Sequence, residues 1–589
     1  MCGIFGVVND QSVHAAEIVL EGLKKLEYRG YDSWGIALVS NSKSSLALEK
    51  HVGKIGQAIT SLPNGNTALG HTRWATHGGV TDSNAHPHLD CTGTIAVIHN
   101  GIVENYQELK EELILNGHKF VSETDTEVIA HLVEEGCKRS DIREATLAVF
   151  ERLIGSNAIG VLDLKTQSIV ACRNGSPLVV GIGKKTSYIA SDVTAFLQFT
   201  KSVHFLADGE AVEITKDGIR LYDLGTKSEK KFTVETINWE IEDAEKGGYP
   251  HFLLKEIMEQ KITIPKTAKI NSSIISEVAQ KINKGNKLVF VGCGTAAYCG
   301  LAASYFFARH EIPSKSYGAY EYLPYASFAD SETVVVAISQ SGETADTIIA
   351  VKAAKKRGAQ IVALVNARGS TLERMADYVI PVGAGPEIAV VSTKAFTSQL
   401  ATLYLLAYAV RGKYAEGKKN IINLEKKLAD WLSGDQINKI IELAKILTVQ
   451  EHAYLIGKYS NYPAALEFGL KLKESAYLHA EAFASGELKH GVIALIQKRT
   501  PCFVLSSNDE IKGEVLSSAT ELKARGGYII GVAPYEATEF DYHVRTPEMG
   551  DLTIFGNIIA GQLLGYHLGI GRCADPDKPR NLAKSVTVK

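Results

Sequence analysis

The sequence predicts a multi-domain α/β protein, and three observations support this fold class. The chain has 589 residues, which is too long for a single hydrophobic core, so two to four domains are expected. Beyond about residue 250, short apolar runs alternate with helical patterns, as is typical of parallel sheets. An acidic and then glycine-rich stretch at 240–250 separates this second half from an N-terminal half.

The composition excludes several classes of function. Charged residues make up 22% of the chain and the net charge is -3, so neither a nucleic acid nor a membrane surface is expected as a partner. We find no signal peptide pattern and no apolar run long enough to span a membrane, so we expect a cytoplasmic protein. The eight cysteines are scattered without a CxxC pair, and they indicate reduced thiols and neither a disulfide framework nor a zinc site.

The N-terminal half begins with a candidate nucleophile. Short strands are predicted at Gly3–Val8 and Gly35–Ser40, around a helix at Ala15–Leu26. If Met1 is removed, Cys2 carries a thiol and a free α-amine whose ordinary pKa is roughly 7.7–8.0. That amine can act as the base for its own thiol. The alternative is an ordinary buried cysteine at the start of a strand, and Cys2 alone does not decide between the two.

Five histidines between residues 71 and 99 raise the possibility of a metal site, which we reject. Their spacing is not that of a helical i, i+4 pair, and no cysteine or acidic residue completes a ligand set. A site that hydrolyses a carboxamide fits better. Arg73 offers a planar fork for an α-carboxylate, and Asp125 offers a counter-charge for an α-amine. The Asn100 amide and the Gly101 N–H can face an oxyanion.

Further elements are predicted around these residues. A strand is expected at Ile95–Ile98, and the Thr and Asp residues of the segment 122–127 suit a cap for a helix at Val128–Glu135.

Four fragments in this order resemble the glutamine amidotransferases of the N-terminal-nucleophile class. They are Cys2-Gly3-Ile4, the segment from His71 to Gly78, His99-Asn100-Gly101 and the segment from Glu123 to Glu127. The resemblance implies a four-layer αββα fold, with Cys2 as the nucleophile that forms a γ-glutamyl thioester. It also implies an oxyanion hole made by Asn100 and Gly101. The glutamine-binding residues that it implies are Arg73, Thr76, His77 and Asp125.

In the second half, a loop that follows a strand predicts a phosphate site. The strand Thr333–Ile338 runs into Ser339–Thr344, which opens a helix that extends to about Arg357. Hydroxyls, backbone N–H groups and the positive end of a helix dipole suit an anion. A plain polar N-cap is the alternative. The earlier strand Lys287–Val291 is followed by a G-x-G whose third glycine comes too late for a dinucleotide fingerprint, so we reject a nucleotide site.

An internal repeat is visible in the second half. The strand at Leu288–Gly294 matches Tyr454–Lys458, and Thr333–Ser341 matches Cys502–Ser507. The second loop ends in Asp509-Glu510, and these carboxylates would repel a phosphate. We therefore expect one phosphosugar site per chain, in the first copy.

A helix predicted at Pro463–Leu478 carries acid–base candidates. Glu467, Lys471 and Glu474 lie at i, i+4 and i+7, hence on one face. A solvated salt-bridged stripe is the ordinary interpretation. The small and apolar neighbours favour burial, which perturbs pKa values and points to function. The tail 579–589 alternates apolar residues with Lys584 and Lys589, so we expect it to pack.

These segments extend the resemblance to the glutamine–fructose-6-phosphate aminotransferase (isomerising) family. The segments are Ser339–Thr344, Ser392–Thr397, Lys471–Glu474, Gly486–Gly491 and the tail. The resemblance implies synthesis of glucosamine 6-phosphate and glutamate, two tandem sugar isomerase domains, a homodimer and no cofactor or metal. The domains we predict are a class II glutamine amidotransferase domain at 2–238, a linker at 239–250, sugar isomerase domains at 251–432 and 433–575, and a catalytic tail at 576–589.

The same resemblance implies residue roles at the sugar site. Lys584 would act at the C2 carbonyl, Glu474 would move the proton between C1 and C2, and His490 of the partner subunit would assist ring opening. The residues implied to hold the sugar phosphate are Thr295, Ser339, Gln340, Ser341, Thr344 and Ser392, with Lys471 and Glu467 in support. The residues suggested as walls of a dry ammonia passage are Trp74, Ala583 and Val586.

Two features depart from the family pattern. Ala296 stands where a serine is usual, and Ala389 and Val391 replace smaller residues.

The sequence argues against two other functions. Another amidotransferase would need a pyrophosphatase loop or a pyrophosphate motif in the second half, and neither occurs. A non-catalytic sugar-phosphate sensor would be expected to lack Cys2, Lys584 or Glu474, and all three are present.

Overall fold

The computed structural model describes residues 2–40, 45–237, 245–270, 272–285 and 287–587. These residues form two compact units. Unit 1 comprises Met1–Ile241 together with Ala583–Lys589, and unit 2 comprises Glu242–Leu582. Met1, residues 238–244 of the predicted domain end and linker, and the last two residues of the tail lie outside the described residues. The predicted domain boundaries stay predictions.

Unit 1 is built from two antiparallel sheets and the helices that cover them. Its strands are β1 (Gly3–Val13), β2 (Ser33–Ser40), β3 (Ala47–Val52), β4 (Gly65–Arg73), β5 (His88–Leu89), β6 (Ile95–Gly101), β7 (Asn157–Asp163), β8 (Ser168–Asn174), β9 (Val179–Ile182), β10 (Thr186–Ala190), β11 (Ser202–Phe205), β12 (Glu210–Thr215), β13 (Gly218–Asp223), β14 (Glu229–Lys230) and β15 (Glu235–Thr236). Its helices are α1 (Ala15–Leu26), α2 (Tyr106–Leu115), α3 (Glu127–Cys137) and α4 (Ile142–Arg152).

The layers of unit 1 follow from the alternation of side chains along its strands. One sheet has the strand order β15-β11-β9-β10-β1-β4-β2-β3, and the other has the order β14-β13-β12-β8-β7-β6-β5. On β1, Ile4 and Val8 join a core shared by both sheets, whereas Phe5 and Val7 pack with α1. Helices α2 to α4 cover the outer face of the second sheet. The αββα fold is therefore confirmed.

The predicted elements of unit 1 are present, and one local detail was wrong. Helix α1 has the predicted bounds, and β1 continues beyond its predicted end. The predicted capping of α3 fails, because Thr126 makes no capping hydrogen bond with its side chain. Its hydroxyl lies 3.0 Å from His99 Nδ1 instead, and Asp125 Oδ2 accepts the Val103 N–H at 2.7 Å.

Unit 2 contains two parallel sheets surrounded by helices. Its strands are β16 (Lys287–Gly292), β17 (Ser314–Gly318), β18 (Thr333–Ser339), β19 (Gln360–Val365), β20 (Tyr378–Pro381), β21 (His452–Gly457), β22 (His479–Ala484), β23 (Pro501–Leu505), β24 (Tyr528–Ala533) and β25 (Tyr542–Arg545). Its helices are α5 (Phe252–Met258), α6 (Gln260–Lys266), α7 (Ser272–Lys284), α8 (Thr295–Arg309), α9 (Ala345–Lys356), α10 (Thr371–Met375), α11 (Lys394–Val410), α12 (Tyr414–Ile422), α13 (Leu424–Leu432), α14 (Gln436–Leu447), α15 (Asn461–Ala476), α16 (Lys512–Ala524) and α17 (Thr553–Gly571).

The two sheets of unit 2 have the same topology. Their strand orders are β17-β16-β18-β19-β20 and β22-β21-β23-β24-β25, and all neighbouring strands are parallel. The strand predicted at Thr333–Ile338 is observed as β18, Thr333–Ser339, and is buried along its whole length, as expected for a parallel strand covered on both faces. The internal repeat predicted from the sequence is thus confirmed. Among the described residues, none of the helices is both long enough and apolar enough to cross a bilayer.

Candidate functional site

The first candidate site lies in unit 1, where the register of β1 fixes Cys2. Gly3 pairs with Thr72 of β4, and its N–H donates to the Thr72 hydroxyl at 3.1 Å. The Cys2 Sγ accepts the Trp74 N–H at 3.2 Å, and the Cys2 carbonyl accepts from Arg29 Nε at 3.2 Å. Cys2 therefore lies at the end of a central strand with its sulfur held against the loop that follows β4.

The surroundings of Cys2 leave its thiol in need of a base. Burial raises the pKa of the Cys2 thiol above its ordinary value, although the Trp74 N–H and the charges of Arg73 and Arg29 act in the opposite direction. The thiolate is the nucleophilic form, so a group that removes the proton during attack is required.

Asn100 and Gly101, at the end of β6, lie beside Cys2. The Asn100 amide donates to the Cys2 carbonyl at 2.9 Å, and its Oδ1 is 3.1 Å from His71 Nε2. Burial lowers the pKa of His71 to about 3, so a neutral His71 fixes the orientation of this amide. Gly101 has a φ of 135°, and a Cβ there would lie 2.0 Å from the Ser156 carbonyl oxygen. Only glycine fits at this position.

The first of the predicted glutamine-binding residues, Arg73, ends β4. Thr76 and His77 lie in the loop that follows β4, and Asp125 precedes α3. The Arg73 guanidinium is buried and donates to the carbonyls of His77, Gly78 and Gly79. It thereby holds the loop that carries Thr76, whose hydroxyl lies 3.5 Å from His77 Nδ1. In the structure, the Arg73 guanidinium therefore stabilises the loop by hydrogen bonds to the loop carbonyls.

A small cavity is lined by five of the residues predicted for unit 1, and Arg73, His77 and Asp125 are not among its lining residues. Its volume is about 20 Å³, about enough for one water molecule. The cavity is lined by Cys2, Trp74, Thr76, Asn100, Gly101, Ser176, Pro177 and Thr587. Glutamine therefore requires a wider opening than this state provides.

Several residues at this site were not predicted. Arg29 binds the Cys2 carbonyl, and Asp32 Oδ2 accepts the Ala75 N–H at 2.8 Å. Both lie between α1 and β2, in a stretch of polar residues whose pattern indicates only a loop. Ser176 and Pro177 have no sequence signal that we recognise. Thr587 belongs to the tail, which was expected to pack.

The tail residues Ala583–Thr587 group with unit 1. Ala583 and Lys584 are half-buried, Ser585 is buried, and Val586 is 46% exposed. The predicted packing of the tail therefore holds for the part that the structure describes, apart from Arg580, Asn581 and Val586, which are exposed.

The histidines of residues 71–99 take part in hydrogen bonding and stacking. The rings of His71 and His86 stack with centroids 4.2 Å apart, and His99 Nε2 lies 2.9 Å from Asn157 Oδ1. His88 Nε2 lies 2.9 Å from the Thr124 hydroxyl. Burial lowers the pKa of His86 and His88 well below the ordinary value, so these rings are neutral at pH 7.

The second candidate site lies in unit 2, at the carboxyl end of β18. The Ser339 hydroxyl accepts the Gly342 N–H at 2.9 Å and lies 3.2 Å from the Thr344 hydroxyl, while Ser341 Oγ accepts the Glu343 N–H at 3.2 Å. The Gln340 carbonyl accepts from Ala367 at 3.0 Å. This loop leads into α9, as predicted for a phosphate cradle.

Glycine is required in this loop. Gly342 has a φ of 65°, and a Cβ there would lie 2.1 Å from Ser370 Oγ. Next to it, the buried Glu343 accepts the Thr371 N–H at 2.8 Å. Glu343 is the only acidic residue in the segment 339–344, and this bond holds one of its carboxylate oxygens at the start of α10.

The predicted acid–base residues meet around the Lys471 ammonium group on α15. Lys471 Nζ lies 2.6 Å from Glu474 Oε2 and 3.2 Å from Glu467 Oε1. It also donates to the Thr295 hydroxyl and the Ser392 carbonyl, each at 3.1 Å. Lys471 and Glu467 are fully buried. The interpretation of a solvated stripe was therefore wrong, and the buried cluster is confirmed.

Charge and burial compete within this cluster. Burial alone would lower the pKa of Lys471, but the attraction of Glu467 and Glu474 outweighs it and holds this pKa above the ordinary value. Burial raises the pKa of Glu467 to about 7, against the pull of Lys471. One carboxylate of the cluster therefore titrates near neutral pH, as acid–base sites often require.

The raised pKa of Glu467 predicts a pH-dependent stability. The folded state binds the proton more tightly than the unfolded chain, whose ordinary value is 4.5. The free energy of unfolding should therefore fall as the pH rises through the window from 4.5 to about 7. In Glu467→Gln this contribution to the slope should vanish. Urea midpoints at about pH 5 and about pH 8 measure it, and an identical pH slope in both proteins would contradict the prediction.

A further acidic residue of unit 2, Glu387, was not predicted from the sequence. Glu387 is buried, its Oε2 accepts the Ser392 hydroxyl at 3.1 Å, and its Oε1 accepts the Thr393 and Ala395 N–H groups. It thus orients Ser392 and caps the start of α11. A lone glutamate between apolar residues carries no spacing signal that could have identified it.

The second copy of the loop differs from the first in how its hydroxyls are used. Ser506 Oγ accepts from the Tyr535 hydroxyl at 2.6 Å, and Ser507 Oγ accepts from Asn461 at 2.9 Å. Burial raises the pKa of Asp509 from its ordinary value. These serines are engaged within the protein, which supports the prediction of a single site in the first copy.

His490, predicted to act in the partner subunit, lies on a short element of unit 2. It ends a 3₁₀-helix, Ser485–His490, that follows β22, and its side chain is exposed.

Comparisons with known proteins cover both units. A model of the glutamine amidotransferase domain matches residues 71–198, and a model of the SIS domain matches residues 281–409 and 446–548. The chain is 42% identical over 608 residues to a glutamine–fructose-6-phosphate aminotransferase (isomerizing) of Thermococcus kodakarensis, with 100% of both chains covered. It is also 42% identical over 602 residues to the enzyme of the same name from Pyrococcus horikoshii, again with 100% of both covered.

A solved structure agrees with these sequence matches. The C-terminal domain of glucosamine-fructose-6-phosphate aminotransferase from Francisella tularensis aligns with 56% of this chain and 99% of its own, at 30% identity and a TM-score of 0.51. The full-length identities, the two domain matches and the two sites lead to one conclusion. This chain belongs to the glutamine–fructose-6-phosphate aminotransferase (isomerizing) family.

Proposed function

We propose that this protein makes glucosamine 6-phosphate and glutamate from fructose 6-phosphate and glutamine. The observation that carries the proposal is the Lys471 cluster. It joins the buried Glu467 and Lys471 to the half-buried Glu474 beside Thr295 and Ser392, in a chain whose other unit holds Cys2 next to Asn100 and Gly101. A sugar isomerase needs a protected proton-transfer group, and an amidotransferase needs a nucleophile beside donors for an oxyanion.

In the first half-reaction, the Cys2 thiolate attacks the side-chain amide of glutamine. The α-amine of Cys2, freed by removal of Met1, takes the thiol proton and returns it to the leaving ammonia. The donors proposed for the oxyanion are the Asn100 amide and the Gly101 N–H, and one such donor is typically worth about 3 kcal/mol. Water then releases glutamate from the thioester. Arg73, Thr76, His77 and Asp125 bind the amino-acid end of glutamine.

In the second half-reaction, Lys584 forms an imine at C2 of open-chain fructose 6-phosphate and water leaves. Ammonia then adds to C2 and releases the Lys584 amine, which leaves the ketose imine. A proton moves from C1 to C2 through Glu474, which converts the ketose imine into the amino aldose. Lys584 acts at the C2 carbonyl, and His490 of the partner subunit assists ring opening. The phosphate is bound by Ser339, Gln340, Ser341 and Thr344, with Thr295 and Ser392 on the sugar.

Ammonia must travel between the half-reactions without being protonated in bulk water. We propose that Trp74, Ala583 and Val586 line its route, because Trp74 faces the Cys2 cavity and the tail groups with the same unit. We also propose a cytoplasmic homodimer that needs no cofactor for this reaction.

The proposed function is tested by incubating the protein with glutamine and fructose 6-phosphate without ATP. Glucosamine 6-phosphate should form, together with glutamate. Glutamate release without any amino sugar would contradict the proposal and favour another amidotransferase.

The phosphate cradle gives a second test. Ser341→Ala together with Thr344→Ala should raise the KM for fructose 6-phosphate by about 10- to 100-fold per lost bond, since a hydrogen bond to a charged group is worth about 1.5–3 kcal/mol. Hydrolysis of glutamine should continue. The matched control is Ser506→Ala with Ser507→Ala in the second copy, which should leave this KM unchanged. An unchanged KM in the first variant would contradict phosphate binding by this loop.

A further inference from the structure

A cluster in unit 1, separate from the residues of both proposed half-reactions, has the donor set of a metal site. Its members are Cys91, His118, His131 and Glu134, and their ligand atoms all lie within 4.8 Å of one another. Cys91 lies in the turn between β5 and β6, His118 follows α2, and the other two lie on one face of α3. We propose that these four residues bind a structural zinc ion.

The distances within the cluster match the edges of a tetrahedron around zinc. Cys91 Sγ lies 3.4 Å from His118 Nδ1 and 3.5 Å from His131 Nδ1. Glu134 Oε2 lies 3.2 Å from His118 Nδ1 and 3.4 Å from His131 Nδ1. Zinc bonds of about 2.0–2.1 Å to nitrogen or oxygen and about 2.3 Å to sulfur give edges of about 3.3 and about 3.5 Å. Four measured edges therefore agree with one central ion.

The outer nitrogens of both histidines face carboxylates, as in most metal-binding histidines. His118 Nε2 is 2.7 Å from Glu135 Oε1, and His131 Nε2 is 3.6 Å from Glu127 Oε1. Glu127 is itself held by the Ser122 hydroxyl at 2.6 Å. These partners favour a proton on each Nε2, which leaves both Nδ1 lone pairs directed into the cluster.

This arrangement brings acceptors together without enough donors. With the protons on Nε2, both Nδ1 atoms and Glu134 Oε2 are acceptors, and the Cys91 S–H is the only side-chain donor among the four cluster residues. The Cys91 N–H donates to Glu134 Oε2 at 3.0 Å and so orients the carboxylate. A cation at the centre satisfies all of the remaining lone pairs.

The donor set selects the kind of metal. A thiolate with two imidazoles and one carboxylate suits zinc, whereas magnesium and calcium prefer oxygen ligands alone. Four protein ligands in tetrahedral positions leave no open place for water, which indicates a structural and not a catalytic ion. On binding, Cys91 loses its thiol proton to solvent and zinc takes its place. Since Cys91 is exposed and both histidines are buried, the ion has access from solvent.

The proposal is tested by metal analysis of the full-length protein. After loading with zinc and removal of excess, we expect one zinc ion per chain in the wild type and loss of that ion in Cys91→Ser. The matched control is Cys137→Ser, a half-buried thiol at the end of α3, which should keep its zinc. Cys2→Ala should also keep it, because the nucleophile is not a ligand.

A spectroscopic test on the wild-type protein reports the ligands directly, and Cys91→Ser serves as its comparison. Cobalt in the wild-type protein should give a thiolate-to-cobalt charge-transfer band and the intense visible bands of a tetrahedral ion, and the charge-transfer band should be lost in Cys91→Ser. Chelation should also lower the melting temperature of the wild type and leave that of Cys91→Ser unchanged. Equal zinc content in wild type and Cys91→Ser, or cobalt bands without sulfur character, would overturn the proposal. Neither result depends on aminotransferase activity.

Discussion

Cys2→Ala is expected to lose glutamine-dependent synthesis of glucosamine 6-phosphate by at least about 10³-fold, because the variant lacks the thiol that forms the thioester. The alanine keeps the backbone of β1, so the hydrogen bonds of Gly3 and Ile4 should persist. Binding of fructose 6-phosphate should be unaffected, since its proposed residues lie in unit 2. Glutamate release and binding of the sugar phosphate are the two measurements.

Two controls sharpen this prediction. Cys137→Ala removes another half-buried thiol of unit 1 and should keep full glutaminase activity. Protein that retains Met1 should be as inactive as Cys2→Ala, because its Cys2 nitrogen is then an amide and cannot act as the base. Normal glutamate release from the Met1-retaining form would contradict the role of the N-terminal amine.

Lys584→Ala should reduce amino-sugar synthesis by at least about 100-fold while Cys2 continues to hydrolyse glutamine. An imine at C2 needs the amine of Lys584, and alanine has none. The point variant is a sharper test than deletion of the tail. Thr587 lines the Cys2 cavity, so a deletion would disturb the glutamine site as well.

The matched variant for this position is Lys584→Arg, which keeps the positive charge but lacks an amine able to form an imine. It should be as defective as Lys584→Ala. Synthesis restored by arginine would show that Lys584 supplies charge alone, and normal synthesis by Lys584→Ala would remove it from the mechanism.

The sequence predicted those parts of the fold that depend on local patterns. Helix α1 has the predicted bounds because its apolar residues recur with helical period, and β18 was predicted because β-branched residues form a buried run. The predicted cap of α3 was wrong because both side chains make tertiary contacts instead of capping the helix. Thr126 lies against His99, and Asp125 binds the Val103 N–H.

The sites were predicted where a motif or a helical face carries them. One face of α15 carries Glu467, Lys471 and Glu474, as predicted. In the structure, Lys471 on this face also donates to the Thr295 hydroxyl and the Ser392 carbonyl. Residues that act through backbone contacts left no such pattern, as for the Arg29 bond to the Cys2 carbonyl and the Glu387 bond to Ser392.

The zinc cluster was missed for a related reason. No metal was expected from the sequence, because the cysteines form no CxxC pair and the histidines of residues 71–99 form no helical i, i+4 pair. The proposed ligands His118 and His131 lie 27 and 40 residues after Cys91, on separate elements. Only His131 and Glu134, three residues apart on α3, form a local pair, and such a pair is common on ordinary helices.

The central claim is that one chain hydrolyses glutamine and transfers the released ammonia to the sugar. It is tested most directly with glutamine labelled with ¹⁵N at the amide, supplied with fructose 6-phosphate in a buffer that contains excess unlabelled ammonium. Our account predicts ¹⁵N in the glucosamine 6-phosphate and one glutamate for each amino sugar. Amino sugar that carries unlabelled nitrogen from the buffer, or glutamate released without matching amino sugar, would contradict it.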